Sequence, residues 1–277
     1  MSVVLAALTS DPNLLRCELL RLGGQVRLQG DATPNVVGVG SYAQEEVLLR
    51  RFPAGAELSL PRVLPDIESE ALLFHAQRLP MGLAHEENTQ PFRARHWLFA
   101  HQGRVEGFER LRASLLAGLP EHLQRQVRGP TDSEVLFGVF LKHLRALGRT
   151  DDPRLEPEVA GQLLARTALE VAKASAEAGV ARASNLNLLA TNGAVLAATR
   201  LGELPLYYMR MEGSAACEAC GVDARTSDLQ PTLGAHRRQR TVVVASHLAR
   251  PASWVELPSG ATLVVGSDLQ ARALSAP

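Results

Sequence analysis

His96-Trp97-Leu98-Phe99-Ala100-His101-Gln102-Gly103-Arg104-Val105-Glu106-Gly107-Phe108 sets the reading of this chain. An apolar, strand-like run ends on a polar tip, a glycine follows, and a helical pattern begins at Gly107. That layout can turn backbone N–H groups toward a developing oxyanion. Read blandly, the same residues are a hairpin with Gln102-Gly103 at its turn. The flanking segments have to decide between the two.

Upstream, Ser2 to Leu8 reads as a buried strand, and Asn13 to Leu22 carries leucines at helical spacing. Val36 to Tyr42 and Glu46 to Phe52 are rich in β-formers around a short polar turn, which predicts a hairpin. Glu70 to Gln77 and Arg95 to Gln102 add two strands. Downstream the pattern becomes helical over Gly107 to Gly118 and over Asp132 to Leu147, where Leu136, Phe140, Leu144 and Leu147 share a face. Glu156 to Gly179 is an Ala-rich helix closed by a C-cap glycine. Strand-like runs return at Ser184 to Ala190, Val195 to Arg200, Leu206 to Met211, Thr241 to Ser246 and Thr262 to Val265. Strands, then helices, then strands predict an α+β layered architecture. A single domain over residues 1–277 is expected, with 212–240 as an irregular loop and 268–277 as a frayed tail.

Composition narrows the function classes. The chain has 277 residues, 46% of them hydrophobic and 21% charged, with a formal net charge of zero. Nothing global favours nucleic acid or an anionic membrane surface. No apolar run approaches the roughly 20 residues that span a bilayer. No basic n-region and apolar leader open the sequence, and three cysteines make no even disulfide set, so a cytoplasmic protein is expected.

Three features carry chemistry. Removal of Met1 would expose Ser2, whose α-amino group can act as its own general base, although a small residue after Met1 is commonplace. Glu87-Asn88-Thr89-Gln90-Pro91-Phe92 is a polar loop that closes on proline and an aromatic ring. Gly129-Pro130-Thr131-Asp132-Ser133-Glu134 precedes an apolar helix, and Thr131 and Glu134 have capping-box spacing. Asp132 could instead hold the ammonium group of an amino-acid substrate.

Taken together, MSVVLAALTSDPNLL, NVVGVGSY, FHAQRLPMGLAHEENTQPF, RHWLFAHQGRVEGFERLR, GPTDSE, SNLNLLATNGAVLAATR and WVELPSGATLVV resemble, in order, the class II glutamine amidotransferase family in its small stand-alone form. The resemblance implies a four-layer αββα sandwich, two antiparallel sheets face to face with helices outside, of the N-terminal-nucleophile hydrolase kind. It also implies where the working residues fall. The family's nucleophilic cysteine is Ser2, its carboxylate-clamping arginine is Gln77, and the threonine near it is Pro80. The asparagine beside the oxyanion glycine is Gln102, its NTHPF segment reads with Gln90 in place of histidine, and its DGWG-like segment reads Asn35-Val36-Val37-Gly38. Only Gly103 and Asp132 match as they stand. Arg78 adjoins the clamp position, but strand alternation sends it to the opposite face.

A hydroxyl can replace a thiol in such enzymes. A neutral glutamine cannot replace a bidentate guanidinium, and one added methylene at Gln102 shifts its amide by about 1 Å, enough to cost on the order of a hundredfold. A single nucleophile substitution made to trap substrate would account for Ser2 but not for Gln77, Pro80 and Gln102, so the pattern reads as natural divergence. The expected function is that of a degenerate class II glutamine amidotransferase lacking efficient glutaminase activity. It would act by binding a partner protein or a small amide or amino-acid ligand. The alternative is an active amidohydrolase on a γ-glutamyl or other amide, with Ser2 as nucleophile and Gly103 and Gln102 holding the oxyanion.

No cofactor is implied. Cys217-Glu218-Ala219-Cys220-Gly221 is one CxxC, half of a structural zinc set; with Cys17 distant and His236 off finger-like spacing, no metal is assigned. Cys217 and Cys220 remain the only candidates, for a weaker reading as a metal-dependent regulator. The basic run His236-Arg237-Arg238-Gln239-Arg240 lacks interleaved aromatic residues and reads as a solvated loop. His75, His85, His96 and His101 alternate between strand faces and are given no catalytic role.

Overall fold

A computed structural model describes residues 2–30, 32–44, 46–55, 58–60 and 67–275. Its strands are Ser2–Thr9 (β1), Val36–Ala43 (β2), Glu46–Pro53 (β3), Ala71–Gln77 (β4), Phe92–Ala94 (β5), Trp97–Arg104 (β6), Asn185–Thr191 (β7), Leu196–Leu201 (β8), Tyr207–Met211 (β9), Thr241–Ala245 (β10), Val255–Glu256 (β11), Thr262–Val265 (β12) and Arg272–Leu274 (β13). They form two antiparallel sheets, ordered β11-β9-β10-β1-β4-β2-β3 and β13-β12-β8-β7-β6-β5. Helices Leu15–Arg21 (α1), Phe108–Ala117 (α2), Glu121–Gln124 (α3), Asp132–Ala146 (α4), Pro157–Glu177 (α5) and Pro231–Arg238 (α6) complete the described elements. The expected αββα layering is what the chain adopts.

Side-chain alternation divides the interior. Val4, Ala6 and Leu8 of β1 meet Leu98 and Ala100 of β6 and Leu189 of β7 in the core between the sheets. Leu5 and Ala7 face outward with Leu15, Leu19 and Leu22 under α1. On the other outer face, Trp97 and Phe99 lie beneath α2, α4 and α5. The rings of Trp97 and Phe140 meet edge-on at 5.2 Å, and Phe99 stacks on Phe137 at 5.2 Å. Burying rings of this size dominates the energetics of a layer. Leu147 departs from expectation: it falls past the end of α4 and is exposed.

Several polar ties cross between the sheets. Tyr42, at the end of β2, donates its hydroxyl toward the carbonyls of His96 and Thr191, each at 2.8 Å. His75 of β4 places Nε2 3.2 Å from the His101 carbonyl of β6. Gly38 and Gly40 keep β2 thin: a Cβ on Gly40 would sit 2.5 Å from Leu98, and one on Gly38 would sit 1.9 Å from the Gln90 carbonyl oxygen.

Three expectations need correction. The segment 212–240 is not wholly irregular, because α6 starts with a proline in its first turn and carries Leu233 and His236 to a buried face. The terminal stretch after Ser267 does not fray throughout, since β13 pairs with β12 in the register Leu263↔Ala273. Gln102-Gly103 is not a hairpin turn: β6 continues to Arg104 and pairs with β7, with Gln102 opposite Asn187 and Gly103 opposite Leu186. Elsewhere the anticipated elements stand, including the β2–β3 hairpin and the closure of α5. There Gly179 adopts φ +69 and Val180 N–H returns to the Ser175 carbonyl at 3.1 Å, a left-handed termination that favours glycine.

Two measurements test this packing. Gly38→Ala must displace the Gln90 backbone, so it is expected to cost about 1–3 kcal/mol in urea unfolding, whereas Gly55→Ala, with open space around it, is not expected to destabilise. The second concerns pH. Burial holds the His75 imidazole neutral, with its pKa lowered from 6.5 to about 3. Above pH 6.5 both folded and unfolded states carry a neutral ring; below it the unfolded chain takes a proton that the folded one refuses. Stability should therefore fall as pH drops from 6.5 toward 3, by up to about 1.4 kcal/mol per pH unit from this group. His75→Gln should flatten the profile of unfolding midpoint against pH, and parallel profiles would refute the assignment.

Candidate functional site

Ser2 opens β1 opposite Gln77, the last residue of β4, and Gln77 is also opposite Val36 of β2. Directly opposed residues in an antiparallel ladder point to the same face. Ser2 and Gln77 therefore share the inward face that holds Val4 and His75. Arg78 goes the other way, as alternation requires, and donates to the Thr33 carbonyl at 3.2 Å on the surface.

From Gln77 a hydrogen-bonded chain runs across the gap between the sheets. Gln77 Nε2 donates to the Asn88 carbonyl at 2.9 Å, and Gln77 Oε1 accepts from Gln90 Nε2 at 3.4 Å. Gln90 uses the rest of its amide on the backbone of His101: Oε1 accepts from His101 N–H at 2.6 Å, and Nε2 donates to the His101 carbonyl at 3.3 Å. The next residue, Gln102, points between the sheets, where its Oε1 accepts from Asn187 Nδ2 at 2.6 Å. Gln77, Gln90 and Gln102 are all buried, at 7%, 4% and 2% exposure. Nothing in the sequence alone showed that Gln77 and Gln90 would join each other.

Gly103 adopts φ +143, and a Cβ there would lie 1.9 Å from the Asn185 carbonyl oxygen. Glycine is required at that point by backbone approach as well as by conformation. Asp132 lies at the start of α4, but its carboxylate is engaged. Oδ2 accepts from Val105 N–H at 2.8 Å and Oδ1 from Ser133 Oγ at 3.1 Å. It thus holds the turn that follows β6. Thr131 is the N-cap expected of the motif, accepting from Glu134 N–H at 3.4 Å. Glu134 completes no reciprocal box; its carboxylate accepts instead from Arg128 and Gly129 N–H at 2.8 and 2.6 Å. Pro80 lies in an exposed turn, where its carbonyl accepts from Leu83 N–H, and it joins none of these contacts.

His101, given no catalytic role from the sequence, is buried on the face of β6 turned to α4. Nδ1 is 3.0 Å from Ser133 Oγ and Nε2 3.3 Å from the Asn185 carbonyl. Burial lowers its pKa, and the Asp132 carboxylate acts in the opposite direction. It supports the strand from behind. Asn187 is the polar partner that pattern reading left unassigned; Gln90 was marked by the NTHPF-like segment, but its grip on the His101 backbone was not.

A cavity of about 1160 Å³ sits against β5, α3 and α4, with Arg51, Arg93, Arg125, Arg128 and Arg145 on its walls. Ser2, Gln77, Gln102, Gly103 and Asp132 do not line it. Among the described residues no helix is long and apolar enough to cross a membrane. A second cluster, Cys17, Cys217, Cys220 and His236, brings ligand atoms within 4.8 Å of one another. This overturns the reading of the CxxC as an isolated pair: α1 supplies Cys17 and α6 supplies His236.

Comparison with known proteins places this architecture. Residues 26–275 match the family described as glutamine amidotransferases class-II. A stretch of 117 residues is 27% identical to the probable glutamine amidotransferase DUG3 of Saccharomyces cerevisiae, covering 42% of this chain and 32% of the yeast protein's length. Over 99% of its length the chain is similar to all of a glutamine aminotransferase class-II domain protein from Silicibacter pomeroyi, with TM-score 0.61 and 24% identity. It is also similar, at TM-score 0.54 and 13% identity, to 49% of the glutamine phosphoribosylpyrophosphate amidotransferase of B. subtilis. At such identities the solved structures speak for the fold, which is of the N-terminal-nucleophile hydrolase type. The family match spans most of the sequence, and the chain belongs to the class II glutamine amidotransferases.

Proposed function

We propose that this protein has lost efficient glutaminase chemistry and works by binding. One observation carries the reading. Three positions where the family resemblance expects arginine, histidine and asparagine hold Gln77, Gln90 and Gln102, and all three amides are buried and bonded to protein groups. A substrate clamp needs unspent donors facing an open pocket, ideally a guanidinium that grips a carboxylate bidentately. Here Gln77 and Gln90 spend their donors internally, Gln102 is held through its amide oxygen by Asn187, and a neutral amide stands where the arginine would be. Asp132, which would hold a substrate ammonium, is likewise spent on Val105 and Ser133. A binding role then falls to the open cavity, where seven arginines outnumber the four carboxylates of Glu87, Glu134, Asp151 and Asp152, a balance that suits an acidic segment of a partner protein or a small anionic amide or amino-acid ligand.

The test is turnover by protein whose N-terminus has been defined by intact mass. With Met1 removed, Ser2 carries the free amine that an N-terminal nucleophile needs. Glutamine is expected to yield no glutamate above the uncatalysed background. Release of glutamate, or of product from a γ-glutamyl or acyl-amide panel, that disappears in Ser2→Ala would overturn the proposal and establish an amidohydrolase acting through Ser2.

A further inference from the structure

The segment between β9 and β10 is attached to the rest of the chain through a small, separate apolar cluster. Leu14, Cys17, Cys217, Val222 and Leu233 form it, apart from the three larger cores. Four chemically distinctive side chains meet there. Cys17 comes from α1, Cys217 and Cys220 flank a tight turn, and His236 comes from α6. Their Sγ and ring-nitrogen atoms all lie within 4.8 Å of one another, and Cys17 Sγ is 3.4 Å from Cys220 Sγ. We infer that these four residues form a structural zinc site of the Cys3His type, which fastens the β9–β10 excursion to α1.

Several independent observations support the inference. Four ligands held at ordinary zinc distances around one ion stand about 3.5–3.8 Å apart. The cluster is close to that spacing before any ion is placed in it. His236 is 1% exposed, and neither of its ring nitrogens has a hydrogen-bond partner among the described residues. A buried imidazole without a partner is costly, and an ion among the thiols would take up one of its two ring nitrogens. The turn that carries two of the thiols is built to present them together. Cys217 and Val222 exchange backbone hydrogen bonds at 2.8 and 2.9 Å, Cys220 N–H reaches back to the Cys217 carbonyl, and Gly221 closes the turn at φ +65. No neighbour crowds Gly221, so the left-handed backbone alone accounts for glycine there.

Donor chemistry selects the metal. Three thiolates and one imidazole suit zinc, whereas carboxylate and carbonyl sets suit magnesium or calcium. On binding, the three thiols release their protons to solvent, leaving about one net negative charge at the site. The positive charge of Arg16 favours the thiolate of Cys220. All four ligands belong to the fold and none opens on the glutamine network, so the site is structural and independent of any turnover.

The full chain, purified under reducing conditions without a metal-affinity step and then incubated with zinc, should retain about one zinc per chain after gel filtration, measured by mass spectrometry of the element. Cobalt in place of zinc should give thiolate charge-transfer absorption and the visible bands of a tetrahedral ion. Cys220→Ser, at an exposed position, should weaken zinc affinity at least about tenfold, and chelation should expose three thiols to alkylation. Absence of bound zinc after this incubation, octahedral cobalt bands, or a Cys17–Cys220 disulfide in protein isolated reduced would overturn the inference. The cobalt spectrum is read on the unaltered chain, so the test survives even where a variant fails to fold.

Discussion

The Gln90 side chain is the constraint around which the ancestral pocket is organised. Its single amide grips both the N–H and the carbonyl of His101 in one sheet and reaches Gln77 Oε1 in the other. Each of these groups is buried, and an unmade hydrogen bond there would cost about 1–3 kcal/mol. Three requirements follow. β2 must carry Gly38 so that the Gln90 backbone can lie against it. Gln77 must present an amide acceptor where a guanidinium would present only donors. The outer face of β6 must hold His101, braced by Ser133, so that its backbone is fixed for the clamp. Gln77 and Gln90 are therefore mutually dependent, while Gln102 is held separately by Asn187.

Ser133 joins this clamp to the start of α4. It lies between His101 Nδ1 and Asp132 Oδ1, while Asp132 fixes the Val105 N–H. Asp132 thus completes a structural circuit linking strand, turn and helix. The strand-to-helix connection at 103–108 is held by Asp132 on the Val105 N–H and by Ser184 on the Glu106 N–H. Its polar groups now serve the protein's own backbone.

Much of this was legible in the sequence, and the reasons are physical. The unbroken apolar runs in Ser2–Leu8 and Trp97–Ala100, and the 3.6-residue spacing of Leu136, Phe140 and Leu144, are local patterns that tertiary contacts reinforce. Strand alternation correctly separated Gln77 from Arg78. Two kinds of feature were hidden. One was the direction of hydrogen bonds: a buried glutamine has the same letter whether it faces a ligand or another glutamine. The other was convergence across distance. Cys17 and Cys220 are separated by 203 positions, and His236 reaches them only because Pro231–Arg238 is helical within a stretch whose polarity reads as loop. β13 was missed for a related reason, since its partner β12, rather than its own weak pattern, holds it in place.

Calorimetric titration of the Met-processed protein with glutamine tests the central claim most directly, because the proposed loss of the substrate clamp predicts weak binding whether or not chemistry follows. No saturable heat is expected at millimolar glutamine. One-to-one binding that is weakened by Asp132→Asn would show that the pocket is open and its carboxylate available, and would contradict the account.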